Sequence, residues 1–311
     1  IDTTIGFGST RDLTRTGTVM FANCPFPTLG EDAVPPGKVT IGPNCRSPFT
    51  TCSLLNISGM SYGAISRPAV LALSSGAREA GCWLNTGEGG LSPYHLEGGC
   101  DLVYQIGTAK NGVRDQEGNL SDDRLREVAA NENVRMFEIK LSQGAKPGKG
   151  GILPGAKVTQ EIADIRGIEE GKDALSPNRH TDINSTADLL DIIHRIREVT
   201  GKPVGFKAVV GSLGWLDNLF TEVVSRGADS APDFITVDGG DGGTGAAPMA
   251  LIDDMGLPLR DSLPMGIYKM NEYGCRDRVI VVDWGKLMTP ADVAWALCMG
   301  ANFVESERGF M

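Results

Sequence analysis

Eight short runs rich in β-branched and aromatic residues, separated by amphipathic segments of helical length, constrain this chain more than any other feature. The runs are LLNIS (54–58), CWLN (82–85), LVYQI (102–106), VRMFEIK (134–140), PVGFKAV (203–209), DFITVD (233–238), VIVVD (279–283) and NFVES (302–306). Between them lie RPAVLALSSGAREAG (67–81), DDRLREVAANE (122–132), AKVTQEIADIRG (156–167), STADLLDIIHRIREVTG (185–201), LDNLFTEVVSRGA (216–228) and TPADVAWALCMGA (289–301). The apolar residues of these segments recur at the spacing of a helix packed on a sheet. Strands alternating with helices specify βα units and a parallel sheet. Eight strands suffice to close an α/β fold of the TIM (β/α)8 barrel type. A doubly wound open sheet uses the same alternation and remains the alternative. The expected barrel occupies 51–311. Residues 1–50, rich in Pro, Gly and Thr, are expected to form an irregular N-terminal extension with short strands that packs on it. No helix follows the eighth run and the chain opens on Ile1, so a piece of a longer protein, truncated after strand 8, is expected.

Composition removes several function classes. The 311 residues are 41% apolar, enough to bury a full core, and carry a formal charge of −10 without any Lys/Arg run. A polyanion is met by clustered cations, so nucleic acid is not expected as a partner. No apolar stretch approaches a membrane span and the N-terminus lacks the pattern of a signal peptide, which predicts a cytoplasmic protein with no membrane partner. The seven cysteines (24, 45, 52, 82, 100, 275 and 298) contain no CxxC pair. They support neither a disulfide framework, a zinc site nor an iron–sulfur cluster. His95, His180 and His194 lack ligand spacing, and no metal is predicted. Neither GxSxG nor GxxxxGK[ST] occurs.

Working residues of a (β/α)8 barrel sit where strands end and the next loops begin. After the first run, SGMSYGAIS (58–66) has small residues that let backbone amides approach a flat ligand; taken alone, the stretch is better explained as an ordinary strand-to-helix turn with Ser66 as N-cap. NTGEGG (85–90) exposes Glu88, either a proton-handling group or part of a surface turn. IKLSQGAKPGKGGILPGAKV (139–158) holds four lysines and no acid, a local reversal of sign that suits a carboxylate or phosphate ligand. Lys207 ends the fifth strand among apolar residues, facing the mouth or held in an ion pair inside the barrel. VDGGDGGTGAAP (237–248) permits close backbone approach to a cofactor. DWGKLMTP (283–290) and SERGFM (306–311) end strands seven and eight, where such barrels grip a phosphate, and offer Gly285, Lys286 and Arg308.

Taken in this order, MSYGAIS, NTGEGG, IKLSQGAKPGKGG with LPGAKV, SPNRHTDI (176–183), DGGDGGTGAAP and GKLMTPADVAWALCMGANFVESERGFM resemble the FMN-binding glutamate synthase family, from residue 45 to the end. The resemblance implies a barrel with FMN at its mouth and an oxidoreductase of amino-acid metabolism, passing a hydride to 2-iminoglutarate made from 2-oxoglutarate and ammonia. It places Gly59, Met60, Ser61, Gln143, Lys207, Gly239, Gly240, Gly285, Lys286 and Arg308 around the flavin. Lys140, Lys146 and Arg166 would meet substrate carboxylates, and Glu88, Lys146 and Gln143 would serve catalysis. A small carboxylate substrate and an electron-donor protein or reductase subunit follow as partners.

The chain departs from that pattern at four points. Ile152 stands where the family's GGQLPG has glutamine. Asp283 and Trp284 replace a small pair, and Glu305 and Glu307 add carboxylates near the expected phosphate. The family's cysteine cluster falls beyond Met311, and no amidotransferase domain with an N-terminal cysteine precedes. The rival readings are another FMN-barrel enzyme, an isomerase or a 2-hydroxy acid oxidase, and a flavin-less barrel serving as a binding subunit.

Overall fold

A computed structural model describes residues 20–144, 148, 150–242 and 247–310. The chain divides into two compact units at Pro36/Gly37. Of the first, residues 20–36 are described and hold one 3-10 turn, Gly30–Asp32. The second unit opens with an antiparallel hairpin, β1 (Val39–Ile41) and β2 (Phe49–Thr51), so this pair groups with the barrel.

All eight runs form strands: β3 (Leu55–Ile57), β4 (Trp83–Asn85), β5 (Asp101–Ile106), β6 (Val134–Lys140), β9 (Val204–Val209), β10 (Phe234–Asp238), β11 (Ile280–Trp284) and β12 (Phe303–Ser306). Between β6 and β9 the chain inserts a second hairpin, β7 (Gly151–Leu153) and β8 (Ala174–Ser176). The eight strands close in the order β3-β4-β5-β6-β9-β10-β11-β12, each pair parallel, with β12 returning to β3. Closure excludes the open doubly wound sheet.

Helices cover the outside. α1 (Arg67–Ala80) begins at Ser66, whose side chain accepts the Ala69 N–H, and ends at Gly81 in the left-handed region. α3 (Asp122–Ala129), α4 (Gln160–Arg166), α5 (Thr186–Thr200), α6 (Gly214–Arg226) and α9 (Pro290–Cys298) occupy the expected segments. Among the described residues three helices fall outside them: α2 (Pro93–Glu97), α7 (Met249–Asp254) and α8 (Leu259–Glu272). α8 contains Pro264, which removes one helical donor, yet Leu259, Leu263 and Met270 bury fully against the barrel and hold the helix together.

The interior of the barrel is layered by the period of two. At the bottom, Trp83, Val103, Met136, Phe234, Val282 and Phe303 point inward and meet Ile41 and Phe49 of the first hairpin, which closes the N-terminal mouth. Trp83 packs edge-on to Phe303 at 5.0 Å and to Phe49 at 6.2 Å. Gly205 has no side chain because a Cβ there would stand 2.3 Å from the Phe234 carbonyl oxygen. Two residues further along their strands come Asn85, Gln105, Glu138, Thr236 and Glu305, all buried. Glu138 binds this middle layer: its Oε1 accepts from Asn85 Nδ2 (2.9 Å) and Gln105 Nε2 (2.7 Å), and its Oε2 from the Thr236 hydroxyl. The next step along β6, β9, β10 and β11 brings Lys140, Lys207, Asp238 and Trp284 to the C-terminal mouth.

Candidate active site

A cavity of about 540 Å3 opens at this mouth, a size that suits a small ligand. It brings together Gly59, Met60, Ser61, Glu88, Lys140, Arg166 and Lys207 from the expected set, with Gln105, Lys157, Trp284 and Glu307 beside them. The β7 segment contributes Ile152, 52% exposed, to the same wall. Gln143 stands behind Glu88. Lys146 falls outside the described residues.

Local chain geometry places the carboxylate. Gly107, after β5, packs so tightly on Glu88 that a Cβ would lie 2.5 Å from the Glu88 Cβ, and Asn111 Nδ2 donates to the Glu88 carbonyl at 3.0 Å. Glu88 Oε2 then accepts from Gln143 Nε2 at 3.0 Å and meets Lys140 Nζ at 3.3 Å. Lys140 Nζ also donates to Gln143 Oε1 at 3.4 Å, which closes a triangle of Lys, Gln and Glu at the rim. Gln143 Nε2 is anchored further by Thr108 Oγ1 at 3.2 Å. His180 fixes the strand end beneath, its ring Nε2 donating to the Lys140 carbonyl at 2.9 Å. Burial holds that imidazole down to about pKa 4, so it is neutral at physiological pH and positions rather than titrates. Among the described residues no histidine lines the cavity.

Arg166, 5% exposed, donates to the Tyr62 carbonyl at 3.1 Å, and its buried Nε has no hydrogen-bond partner among the described residues. Lys207, 4% exposed, lines the mouth and also pairs with Asp238 at 3.6 Å. Its ammonium also lies 3.1 Å from the centre of the Trp284 ring, a cation–π contact in a desolvated setting. Burial lowers the Lys207 pKa and raises that of Asp238 to about 6.

Gly239, Gly240 and Gly285 are not among the cavity-lining residues. A Cβ on Gly239 or Gly285 would strike Leu259 at the start of α8, and one on Gly240 would strike the Gly256 backbone, so these glycines let the loops lie on neighbouring protein. Lys286 and Arg308 are exposed cations at the ends of β11 and β12.

Two carboxyl groups expected to bring negative charge to that end do not. Glu305 points into the barrel, accepting from Trp83 Nε1 at 2.8 Å, and burial with the nearby Glu138 raises its pKa to about 8. Asp283 is fully buried, neither oxygen is hydrogen-bonded among the described residues, and burial lifts its pKa well above its ordinary value, helped by Asp238 and Asp241. Glu305 therefore keeps its proton near neutrality, and burial pushes Asp283 in the same direction. The departures that remain on the cavity wall are Ile152, Glu307 and the bulk of Trp284. Sequence reading singled out most of the rim, but Gln105 and Lys157 were passed over. Gln105 carries a readable signal, a polar residue in phase with Val103 on the inward side of β5.

The family model for the conserved region in glutamate synthase matches residues 31–311. The chain belongs to the glutamate synthase family. It is 44% identical over 268 residues to the glutamate synthase large subunit-like protein YerD of Bacillus subtilis, covering 86% of this chain and 50% of that protein. It is 35% identical over 269 residues to the archaeal glutamate synthase [NADPH] of Methanocaldococcus jannaschii, covering 86% and 48%. The chain thus spans about half the length of these curated relatives. Among solved structures, mandelate oxidase with (S)-4-hydroxymandelic acid superposes at TM-score 0.53 with 17% identity, covering 84% of this chain and 68% of that one. A mutant flavocytochrome b2 with benzoylformate also superposes at 0.53, with 15% identity, covering 84% and 58%. These likenesses support the barrel fold.

FMN, the cofactor that the family resemblance implies, fits the residues at this mouth in part of its length. A flat ring at this mouth would meet the backbone of Gly59–Ser61, Gln105 and Lys207. Lys286 and Arg308, expected at a phosphate, are not among the residues that line this cavity. The Trp284 ring, resting on Lys207, is what a ring placed there would have to move.

Proposed function

We propose that this barrel is the flavin domain of a glutamate synthase-type oxidoreductase, acting on an imine or 2-oxo acid and turning 2-oxoglutarate plus ammonia into glutamate. The observation that carries this reading is the triangle of Lys140, Gln143 and Glu88 at the rim of a cavity that also holds Arg166 and Lys207. FMN, when bound, supplies a two-electron hydride donor. The chain's own residues would do the rest. Lys140 and Arg166, with Lys146, present cations to the substrate carboxylates and fix the reacting carbon toward the cofactor. Glu88, steered by the Gln143 amide and the Lys140 ammonium, receives an ammonium ion or its proton. Lys207 stabilises negative charge that gathers on the reduced ring. A reductase or electron-donor protein completes the cycle.

The test is the visible spectrum of the full-length protein, heat release of its pigment, and anaerobic reduction. Flavin bands, released FMN, and reoxidation of the reduced form by 2-oxoglutarate with ammonium are expected. A full-length protein that stays colourless and takes up no added FMN would sink the reading. Lys140→Met is expected to raise KM for the oxo acid about tenfold to a hundredfold, the worth of a charge-assisted hydrogen bond, while the flavin spectrum stays unchanged. An unchanged KM would remove Lys140 from the substrate site.

One observation favours a second reading, a binding subunit without flavin: the Trp284 ring already covers the Lys207 ammonium. The same spectrum separates the two.

A further inference from the structure

Trp284 ends β11 two residues after Val282, whose side chain belongs to the bottom layer of the barrel, so the period of two turns the indole inward at the mouth. There it lines the cavity and sets its face 3.1 Å from Lys207 Nζ. Among the described residues the indole has no polar anchor, its Nε1 being buried without a hydrogen-bond partner. Lys207 has a second partner in Asp238, at 3.6 Å, which keeps the ammonium compensated if the indole leaves. Gly285 follows directly, and Gly59–Ser61 line the same cavity with small residues on either side of Met60. A planar ligand that brings negative charge to Lys207 therefore has one obstacle, a ring held by a cation–π contact and by packing.

We infer that Trp284 is a latch over Lys207, competing with the flavin ring for the ammonium, so that this barrel takes up flavin weakly and exchangeably. The inference rests on the flavin reading above. It makes Trp284 an affinity-determining residue: each binding event breaks the indole–ammonium contact, and removing the indole removes that cost. A desolvated cation–π contact corresponds to a factor of about ten to thirty in affinity. Phenylalanine, a weaker cation–π partner of smaller area, sits between tryptophan and serine in the expected order.

The experiment is an FMN titration of the full-length protein and of its Trp284→Phe and Trp284→Ser variants, read by flavin absorbance after ultrafiltration and by indole emission. Circular dichroism confirms that each variant is folded, and Trp284→Phe keeps the test alive if the serine variant does not fold. The expected order of affinity is Trp284→Ser above Trp284→Phe above wild type, with a span of about tenfold or more, and an emission change on binding in wild type that both variants lose. Equal affinities, or weaker binding by the variants, would overturn the latch while leaving the flavin reading intact; weaker binding would mean that the indole stacks on the flavin as a platform. Failure of all three folded proteins to bind FMN would overturn the flavin reading and the latch together.

Discussion

Glu138→Ala is expected to cost about 4 kcal/mol of folding free energy. The carboxylate is 1% exposed and accepts from three strands at once, through Asn85 of β4, Gln105 of β5 and Thr236 of β10. Alanine leaves three buried donors unpaired, each worth roughly 1–3 kcal/mol of desolvation, and opens a hole at the level where the apolar bottom layer gives way to the charged mouth. Glu138→Gln keeps the volume and one acceptor but turns an NH2 group toward other donors, so its loss is expected to be about half as large. Urea unfolding of the three proteins followed by fluorescence measures both. A loss under about 1 kcal/mol for alanine would mean that water enters and replaces the carboxylate, and that the middle layer does not tie the strands together.

That hub also marks where sequence reading stops. VRMFEIK announces a strand by its β-branched and aromatic residues, and the strand-end rule correctly carries the eye to Lys140, but nothing in the run says that Glu138, two residues earlier on the same face, meets Asn85, Gln105 and Thr236. Those partners lie 33 to 98 residues away, and only barrel closure brings them together. The eight strands were legible because each is a compact β-rich run bounded by glycine or a polar turn. Helix α8 was not, because Pro264 and Gly266 break the helical signal while tertiary burial of Leu259, Leu263 and Met270 restores the element. The rim residues Glu88, Lys140, Gln143, Arg166 and Lys207 were legible through loop composition and resemblance. The state of the acids was not: Asp283 and Glu305 read as charges in sequence, and burial raises both, Glu305 to about 8.

Glu305→Gln is expected to stabilise the protein, and to do so in one pH window. Burial raises the Glu305 carboxyl from its ordinary 4.5 to about 8 in the folded chain, with Glu138 adding to the shift. Between these values the folded state keeps a proton that the unfolded state has released. Stability from this group is then fully present below about pH 4.5 and is lost progressively as the pH rises toward about 8. Glutamine has no proton to lose, and its amide oxygen preserves the acceptor for Trp83 Nε1. The two proteins should melt together near about pH 4, and by about pH 8.5 the variant should be more stable by roughly 2–4 kcal/mol. Asp238 and Asp283 are raised as well and remain in both proteins, so the variant keeps a shallower slope of the same sign. Thermal melts from about pH 4 to 9 decide the matter. Curves that run parallel across the range would mean that Glu305 is ionised in the folded barrel, paired with Lys207 rather than sheltered from water, and Lys207 would then have to divide its charge among Asp238, Glu305 and the Trp284 face.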